Sequence, residues 1–135
     1  MDRIALAVVG AHMDGMPLNR DLIALGATFM RRTTTTRDYR FFALAGGPPR
    51  RPGLLRVADG EGALIEVEVW SLDAARFGRF VADIPPPLGI GTLRLADGST
   101  PKGFLVEPQG IIGAEDITSF GGWRRYTASL AAVAT

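Results

Sequence analysis

The feature that most constrains the fold is a continuous apolar run, residues 4–9, that stops at a glycine. Because polar residues do not alternate with apolar ones in this run, it predicts a strand buried on both faces of a sheet. A short turn-rich loop follows Gly10, and Asn19 is a favourable N-cap for a helix over residues 20–26. Such a junction points backbone N–H groups and the positive end of a helix dipole into one small space, which suits an anion. His12, the single histidine of the chain, lies in this loop.

The composition limits the class of protein. With 135 residues, of which 47% are hydrophobic and 21% charged, the chain is expected to form a single globular domain over residues 1–135. A net charge of +1 provides no field that attracts nucleic acid or an anionic membrane. Because the sequence has no cysteine and one histidine, disulfides, thiolate catalysis and a histidine-rich zinc site are excluded within it, and we expect neither a metal nor a cofactor.

No apolar run approaches the roughly 18 residues that span a bilayer. The N-terminus also lacks the layout of a signal peptide, so we expect a cytoplasmic protein.

The rest of the sequence predicts hairpins and two further helices. Runs of β-branched and aromatic residues bounded by glycine, proline or aspartate favour antiparallel strands. The predicted pairs are residues 27–36 with 39–44, 54–57 with 63–72 around the turn Asp59-Gly60-Glu61-Gly62, and 92–95 with 103–106 around Asp97-Gly98. The predicted helices are 73–82, with an apolar stripe that packs on a sheet, and 123–132, while 46–53 and 110–119 are expected to be irregular. Together these elements predict an α+β domain with a mixed, mostly antiparallel barrel or curved sheet and flanking helices.

Several short motifs occur in one order along the chain. They are Gly10-Ala11-His12 with Gly15 and Pro17-Leu18-Asn19, Asp38-Tyr39-Arg40 with Leu44, Gly47-Pro48-Pro49 with Arg51-Pro52-Gly53, Ile84-Pro85 with Pro87-Leu88-Gly89-Ile90-Gly91, Lys102-Gly103-Phe104, and Asp116-Ile117-Thr118 with Phe120-Gly121-Gly122-Trp123. Over residues 6–126 this set resembles the carboxy-terminal domain of allophanate hydrolase. The resemblance implies a fold like that of gamma-glutamyl cyclotransferases, a small mixed barrel flanked by helices, which agrees with the predicted elements.

The resemblance also implies a role in urea breakdown. In that family an amidase domain opens allophanate to N-carboxycarbamate, and the carboxy-terminal domain promotes the loss of carbon dioxide from this small dianion, which ends in the release of ammonia. The amidase half, with its serine nucleophiles and lysine base, is absent from this sequence, so we expect no amidase activity from it. An amidase in another domain or another protein is the expected partner, whether the chain is excised or free-standing.

Decarboxylation of such a dianion requires a proton on the departing nitrogen and groups that hold the carboxylates. His12 is the candidate catalytic acid, because imidazole transfers protons near neutral pH. Candidates for binding a carboxylate are the helix end that follows the loop and the polar groups of Gly10, Ala11, Met13 and Asn19. The alternatives are a loop histidine bonded to backbone and an asparagine that only caps the helix.

Charged, aromatic and glycine residues elsewhere complete the predicted site. Arginine forks bind carboxylates in a bidentate way, and aromatic rings form apolar walls. The candidates are Arg40, Arg50, Arg51 and Lys102 as charge partners, Tyr39 and Phe104 as walls, and Gly89-Ile90-Gly91 as a stretch whose backbone approaches the ligand. The resemblance places this last stretch at the pocket mouth. The alternative is that these arginines are ordinary surface residues and the rings are core.

Two rival functions stay open. Gamma-glutamyl cyclotransfer is disfavoured, because the region after the second helix offers Asp83 where those enzymes use a glutamate, and their tyrosine-glycine-serine loop is replaced by Val9-Gly10-Ala11-His12. A non-catalytic ligand-binding or assembly module for a partner amidase is the other rival, since a fold does not fix a function. The exposed strand near Thr33 to Thr36 is a candidate edge for pairing with a second copy, which leaves a homo-oligomer open.

Overall fold

The computed structural model describes residues 2–134, which form eight strands, three α-helices and two 3₁₀ turns. In chain order these are β1 (Arg3–Val8), α1 (Asn19–Ala24), β2 (Thr28–Thr34), β3 (Tyr39–Ala43), β4 (Pro52–Arg56), β5 (Glu66–Asp73), α2 (Ala74–Ala82), β6 (Leu88–Thr92), β7 (Lys102–Val106), the first 3₁₀ turn (Pro108–Ile111), β8 (Glu115–Asp116), the second 3₁₀ turn (Thr118–Phe120) and α3 (Trp123–Ala134). The predicted α+β class with flanking helices is confirmed. No helix in residues 2–134 combines the length and apolarity needed to cross a bilayer.

Strand β1 lies at the centre of a five-stranded sheet with the order β2-β5-β1-β7-β6. It pairs antiparallel with β5 and parallel with β7, and the side chains of Leu6, Ala7 and Val8 are fully buried. This confirms the predicted central strand, because only a strand covered on both faces and paired on both edges needs an unbroken apolar run.

A second, three-stranded sheet has the order β4-β3-β8. The predicted pairing of residues 27–36 with 39–44 is therefore wrong, because β2 pairs with β5 whereas β3 pairs with β4 and β8. Between β2 and β3 the chain changes sheets at the buried Asp38, which accepts hydrogen bonds from Thr36 Oγ1 and from the guanidinium groups of Arg56 and Arg94. Burial would raise the pKa of Asp38, but these donors lower it, so the carboxylate stays charged and fixes the crossing.

The predicted hairpin around residues 59–62 is also wrong, because β4 pairs with β3 while β5 pairs with β1 and β2. The glycine-rich turn instead carries the chain from one sheet to the other across the start of β3. Gly62 N–H donates to the Arg37 carbonyl, and a Cβ on Gly62 would lie 2.2 Å from the Tyr39 carbonyl oxygen. A glycine is needed here for close backbone approach rather than for a two-residue hairpin turn.

The third predicted hairpin is present with its turn at Asp97-Gly98, but the predicted pairing of residues 92–95 with 103–106 is wrong, because residues 103–106 pair with residues 88–91. Strands β6 and β7 pair antiparallel from Leu88 opposite Val106 to Thr92 opposite Lys102, and Leu93 N–H donates to the Pro101 carbonyl beyond them. Residues 110–119, expected to be irregular, contain β8 and part of both 3₁₀ turns. The strands of residues 2–134 thus form two curved sheets and not one closed barrel.

The helices differ in how well their ends were predicted. Helix α2 is capped by Asp73, whose carboxylate accepts a hydrogen bond from Arg76 N–H at 2.9 Å, and its apolar stripe buries Phe80. Helix α1 begins at Asn19, so the prediction of Asn19 as the N-cap is wrong: Leu18 occupies that position without a side-chain cap. The helix ends at Ala24, and Leu25 and the left-handed Gly26 follow it, close to the predicted end at Gly26.

Candidate functional site

The loop between β1 and α1 positions His12, and its own hydrogen bonds fix its shape. Met13 N–H donates to the Gly10 carbonyl at 3.0 Å, and Asn19 Nδ2 donates to the His12 carbonyl at 2.9 Å. A Cβ on Gly10 would lie 2.3 Å from Pro52 Cδ, so a glycine lets the start of the loop pass against β4. The asparagine that was expected to cap the helix therefore ties the helix to the histidine's own carbonyl group.

The far end of the loop is anchored by Glu68, whose side chain is fully buried. The carboxylate accepts hydrogen bonds from Asp14 N–H at 2.7 Å, from Arg32 at 2.8 Å, from Arg124 at 2.5 Å and from the Trp70 indole at 3.2 Å. Arg124 also donates to the Asp14 carbonyl at 2.6 Å. Burial would raise the pKa of Glu68, but its four donors lower it, so the charged carboxylate links the loop to β2, β5 and α3.

The imidazole ring of His12 lies between two aromatic rings. Phe104 stacks on it with centroids 5.4 Å apart, and Phe80 meets it edge-on at 5.0 Å. Burial, and then the charge of Arg51, lower the pKa of His12 to about 4, against a smaller opposing effect of Asp21. The ring is therefore neutral at neutral pH when the site is empty.

A cavity of about 260 Å³, here called the main cavity, opens beside this ring. Its lining residues are His12, Asp21, Ala24, Leu25, Arg51, Arg79, Phe80, Asp83 and Ile84. Among the described residues, neither the Arg51 nor the Arg79 guanidinium forms an ion pair or a hydrogen bond. Two arginines without protein partners in one small cavity provide the bidentate geometry that carboxylates accept.

Two further spaces adjoin the main cavity. The inner cavity, of about 20 Å³, is lined by His12 and Arg51 together with the apolar atoms of Val9, Gly10, Ala11, Pro52, Leu88 and Phe104. The proline cleft, of about 340 Å³, is lined by residues of 44–49 and 85–88 and by Arg51. Arg51 is thus shared by all three spaces.

Some of the predicted site residues come together here. His12, Gly10, Ala11, Arg51 and Phe104 line the main cavity, the inner cavity or both. The Met13 side chain is fully buried beneath the loop, and its amide is engaged by Gly10. Helix α1 contributes to the main cavity Asp21 from its first turn, and Ala24 and Leu25 from its C-terminal end.

Other predicted residues lie elsewhere. Tyr39 is fully buried, and its hydroxyl accepts a hydrogen bond from Arg94 N–H at 3.0 Å. Lys102 Nζ donates to Thr92 Oγ1 at 2.8 Å. The stretch from Gly89 to Gly91 runs along β6, the edge strand, and only its neighbour Leu88 reaches the inner cavity.

The two remaining arginines of the prediction are engaged away from His12. Arg40 pairs with Asp116 at 2.5 Å, and Arg50 donates to Tyr126 Oη at 2.9 Å.

Sequence reasoning missed the contribution of α2 and α1. Arg79, Asp83 and Ile84 line the main cavity from the end of α2, and Asp21 does so from α1. The signal was the spacing of Arg79 and Asp83, four residues apart beside the apolar stripe, which places both on one side of the helix. No group of three or more histidine, aspartate or glutamate side chains in residues 2–134 is arranged to hold a metal ion.

Comparison with known proteins identifies relatives along nearly the whole chain. Residues 4–128 match the family described as allophanate hydrolase C-terminal domain. A urea amidolyase of Saccharomyces cerevisiae is 45% identical over 126 residues, which make up 91% of this chain and 7% of that protein. The chain thus spans about 7% of the length of the curated relatives it matches.

Solved structures agree with this match. Kluyveromyces lactis allophanate hydrolase superposes with a TM-score of 0.91 at 41% identity, over 96% of this chain and 22% of that one. A protein described as specific to uropathogenic E. coli superposes with a TM-score of 0.86 at 38% identity, over 95% of this chain and 98% of that one. A gamma-glutamyl cyclotransferase, 9% identical, superposes over 85% of the chain with a TM-score of 0.59, which shows the predicted fold alone.

Proposed function

The chain belongs to the family of allophanate hydrolase C-terminal domains, and from that premise we propose that it promotes the decarboxylation of N-carboxycarbamate. This dianion carries two carboxylates on one nitrogen. The C–N bond to one carboxylate breaks, its electron pair passes to the nitrogen, and the carbon leaves as CO₂. The nitrogen takes up one proton, so the products are CO₂ and carbamate, which then takes up a further proton and decomposes to ammonia and a second CO₂.

The observation that carries the proposal is the pair of unpartnered arginines beside His12. Arg51 and Arg79 line the main cavity without an ion pair among the described residues. Each supplies a planar fork of donors that a carboxylate accepts, so the two together provide positive charge for a small dianion. Asp21 and Asp83 lie in the same lining and repel an anion, so in this proposal the two guanidinium groups face the ligand more closely than these carboxylates do.

In this proposal His12 supplies the proton to the departing nitrogen. Its pKa of about 4 in the empty site results mainly from burial and then from the charge of Arg51. A bound dianion neutralises Arg51 and adds negative charge next to the ring, and both effects raise the pKa of His12. The substrate therefore brings about the protonation that its own decarboxylation needs, and water restores the proton afterwards.

The proposed partner is an amidase that converts allophanate to N-carboxycarbamate. The relatives named urea amidolyase and allophanate hydrolase extend far beyond the region matched here, which supports supply of the substrate from another domain or another protein. The sequence contains no amidase nucleophile set, so this chain acts after that step.

The test uses allophanate labelled with ¹³C and a separate amidase that lacks this domain. We expect the wild-type chain to accelerate the appearance of labelled CO₂ above the spontaneous rate, and His12→Ala to return it to that rate. Arg20→Gln, at an exposed position outside the lining of the main cavity, is the matched control and keeps the wild-type rate. If the wild type binds malonate, a stable mimic of the dianion, without accelerating CO₂ release, the non-catalytic ligand-binding or assembly role replaces this proposal.

A further inference from the structure

The inner cavity is lined by His12 and, among others, by the apolar side chains of Leu88 and Phe104. We propose that it is a product subsite that receives CO₂, so that the carboxylate nearest Phe104 is the one lost. This inference rests on the proposed function. It assigns different fates to the two carboxylates, which are chemically equivalent in the free dianion.

The lining of the inner cavity has the chemistry that this step requires. Apart from His12 and Arg51 it consists of Val9, Gly10, Ala11, Pro52, Leu88 and Phe104. A carboxylate held against apolar groups loses most of its hydration, whereas neutral CO₂ needs none. The negative charge of that carboxylate passes to the nitrogen in the transition state, so an apolar surrounding disfavours the reactant more than the transition state.

The size of the cavity also fits the product. Its volume of about 20 Å³ exceeds the ~10–15 Å³ that one water-sized molecule needs. The main cavity, at about 260 Å³, is large enough for the body of the dianion. The inner cavity is therefore too small for the whole substrate, and in this proposal only the departing CO₂ enters it.

His12 and Arg51 line both cavities, so they mark the boundary between them. A dianion that spans this boundary places its nitrogen beside the imidazole that protonates it. We assign the Arg51 guanidinium to the retained carboxylate, together with Arg79, which lines the main cavity and not the inner one. The scissile C–N bond then lies at the boundary, and its carbon leaves toward Phe104.

The proline cleft provides the route out. It shares Leu88 and Arg51 with the inner cavity, and its walls include Pro48, Pro49 and Pro86. Proline has no N–H to donate, so these walls offer few hydrogen-bond donors. Such a surface binds the anionic substrate poorly and does not hinder neutral CO₂. CO₂ can leave along this side without crossing the charged main cavity, while the dianion enters on the other side.

The first test requires no substitution. Crystals of the wild-type protein are pressurised with CO₂ and frozen under pressure. We expect linear density for CO₂ in the inner cavity between Ala11, Leu88 and Phe104. Density for a single water only, or no density at the same pressure, overturns the inference.

The second test fills the cavity with Leu88→Phe. We expect the rate of decarboxylation to fall about tenfold, because CO₂ has no space to form. Malonate, which places one carboxylate against the inner cavity, should bind more weakly, whereas the dissociation constant for acetate, whose single carboxylate needs only the main cavity, should change by less than about threefold. Leu130→Phe, on the exposed side of α3, makes the same chemical change far from the site and should leave the rate unchanged.

The outcomes separate the inference from the proposed function. A folded Leu88→Phe chain that keeps the wild-type rate overturns the product subsite while the decarboxylase role stands. If Leu88→Phe does not fold, the pressurised wild-type crystal decides. A wild-type chain that does not accelerate decarboxylation overturns the proposed function, and the product subsite with it, even if CO₂ binds in the crystal.

Discussion

Glu68 holds the backbone of Asp14 from within β5: the buried carboxylate accepts the Asp14 N–H at 2.7 Å, two residues beyond His12. The same carboxylate accepts hydrogen bonds from Arg32 and Arg124, and Arg124 also donates a hydrogen bond to the Asp14 carbonyl. The histidine loop is therefore fixed by a charged group that does not line the cavity. Its position depends on residues from three distant parts of the chain.

Replacing Glu68 by glutamine is expected to loosen this loop. The substitution leaves two guanidinium groups without a buried carboxylate, and we expect the free energy of unfolding to fall by about 3 kcal/mol, as when one member of a buried ion pair is removed. Malonate affinity should fall as well, while Glu61→Gln, at an exposed position, should change neither. Urea denaturation and calorimetric titration of both variants measure the two effects. Unchanged malonate affinity in a destabilised Glu68→Gln chain would show that Glu68 does not position the site.

Removing either unpartnered arginine of the main cavity is expected to weaken dianion binding. We expect Arg51→Gln and Arg79→Gln each to raise the malonate dissociation constant about tenfold or more, which is the loss of one charge-assisted contact. Thermal stability should hardly change, because neither guanidinium has a partner among the described residues to lose. Arg37→Gln, also at an exposed position, is the matched control for the loss of one positive charge. Equal weakening in all three variants would indicate a general effect of net charge rather than a built site.

The depressed pKa of His12 makes stability depend on pH. Between the unfolded value of 6.5 and the folded value of about 4, the unfolded chain binds a proton at His12 that the folded chain does not. The stability due to the neutral ring is thus fully present above pH 6.5 and declines as the pH falls toward 4, by about 3 kcal/mol in all. His12→Asn should lose less stability over the same range. Parallel pH profiles of the two proteins in urea denaturation would refute the depressed pKa.

Malonate binding near pH 7, where the free ligand is already the dianion, should take up protons. The dianion raises the pKa of His12, so a ring that is neutral in the free site becomes charged in the complex. Calorimetry in buffers with different ionisation enthalpies measures this uptake, which we expect to be positive, below one proton per site, and close to zero in His12→Asn. Equal uptake in the wild type and in His12→Asn would assign the proton to another group.

A pair of glycine substitutions tests the close contact at the start of the loop. Gly10→Ala places a Cβ 2.3 Å from Pro52 Cδ, and we expect it to destabilise the protein by about 1–3 kcal/mol. Gly89→Ala makes the same change on β6, where no atom lies within 4 Å of the added Cβ, and should be neutral or mildly stabilising. Thermal unfolding of both variants gives the comparison. Equal melting temperatures would mean that the loop has room at Gly10.

The parts of the fold that were predictable have causes local in sequence. The unbroken apolar run of β1 and the apolar stripe of α2 depend on neighbouring residues alone, and both were found correctly. Which sheet a strand joins depends on contacts between residues far apart. The ion pairs of Asp38 with Arg56 and Arg94 separate β2 from β3, and no pattern within residues 27–44 reveals them.

The residues of the candidate site also differ in whether the sequence alone reveals them. His12 and Arg51 were identifiable because each lies in a motif where a glycine or proline interrupts regular structure. Arg79 and Asp83 were not, since charged residues on an amphipathic helix ordinarily face solvent. Only the packing of α2 against β1 and β5 turns these two side chains toward the histidine loop.

The contact between Arg124 and Asp14 joins residues 110 positions apart. During synthesis the loop that carries His12 leaves the ribosome long before Arg124 does, and it then lacks the donor that α3 brings to its backbone and to Glu68. The site therefore matures late, after nearly all of this region has emerged. A nascent chain paused within α2 therefore lacks one of the anchors that hold the histidine loop in place.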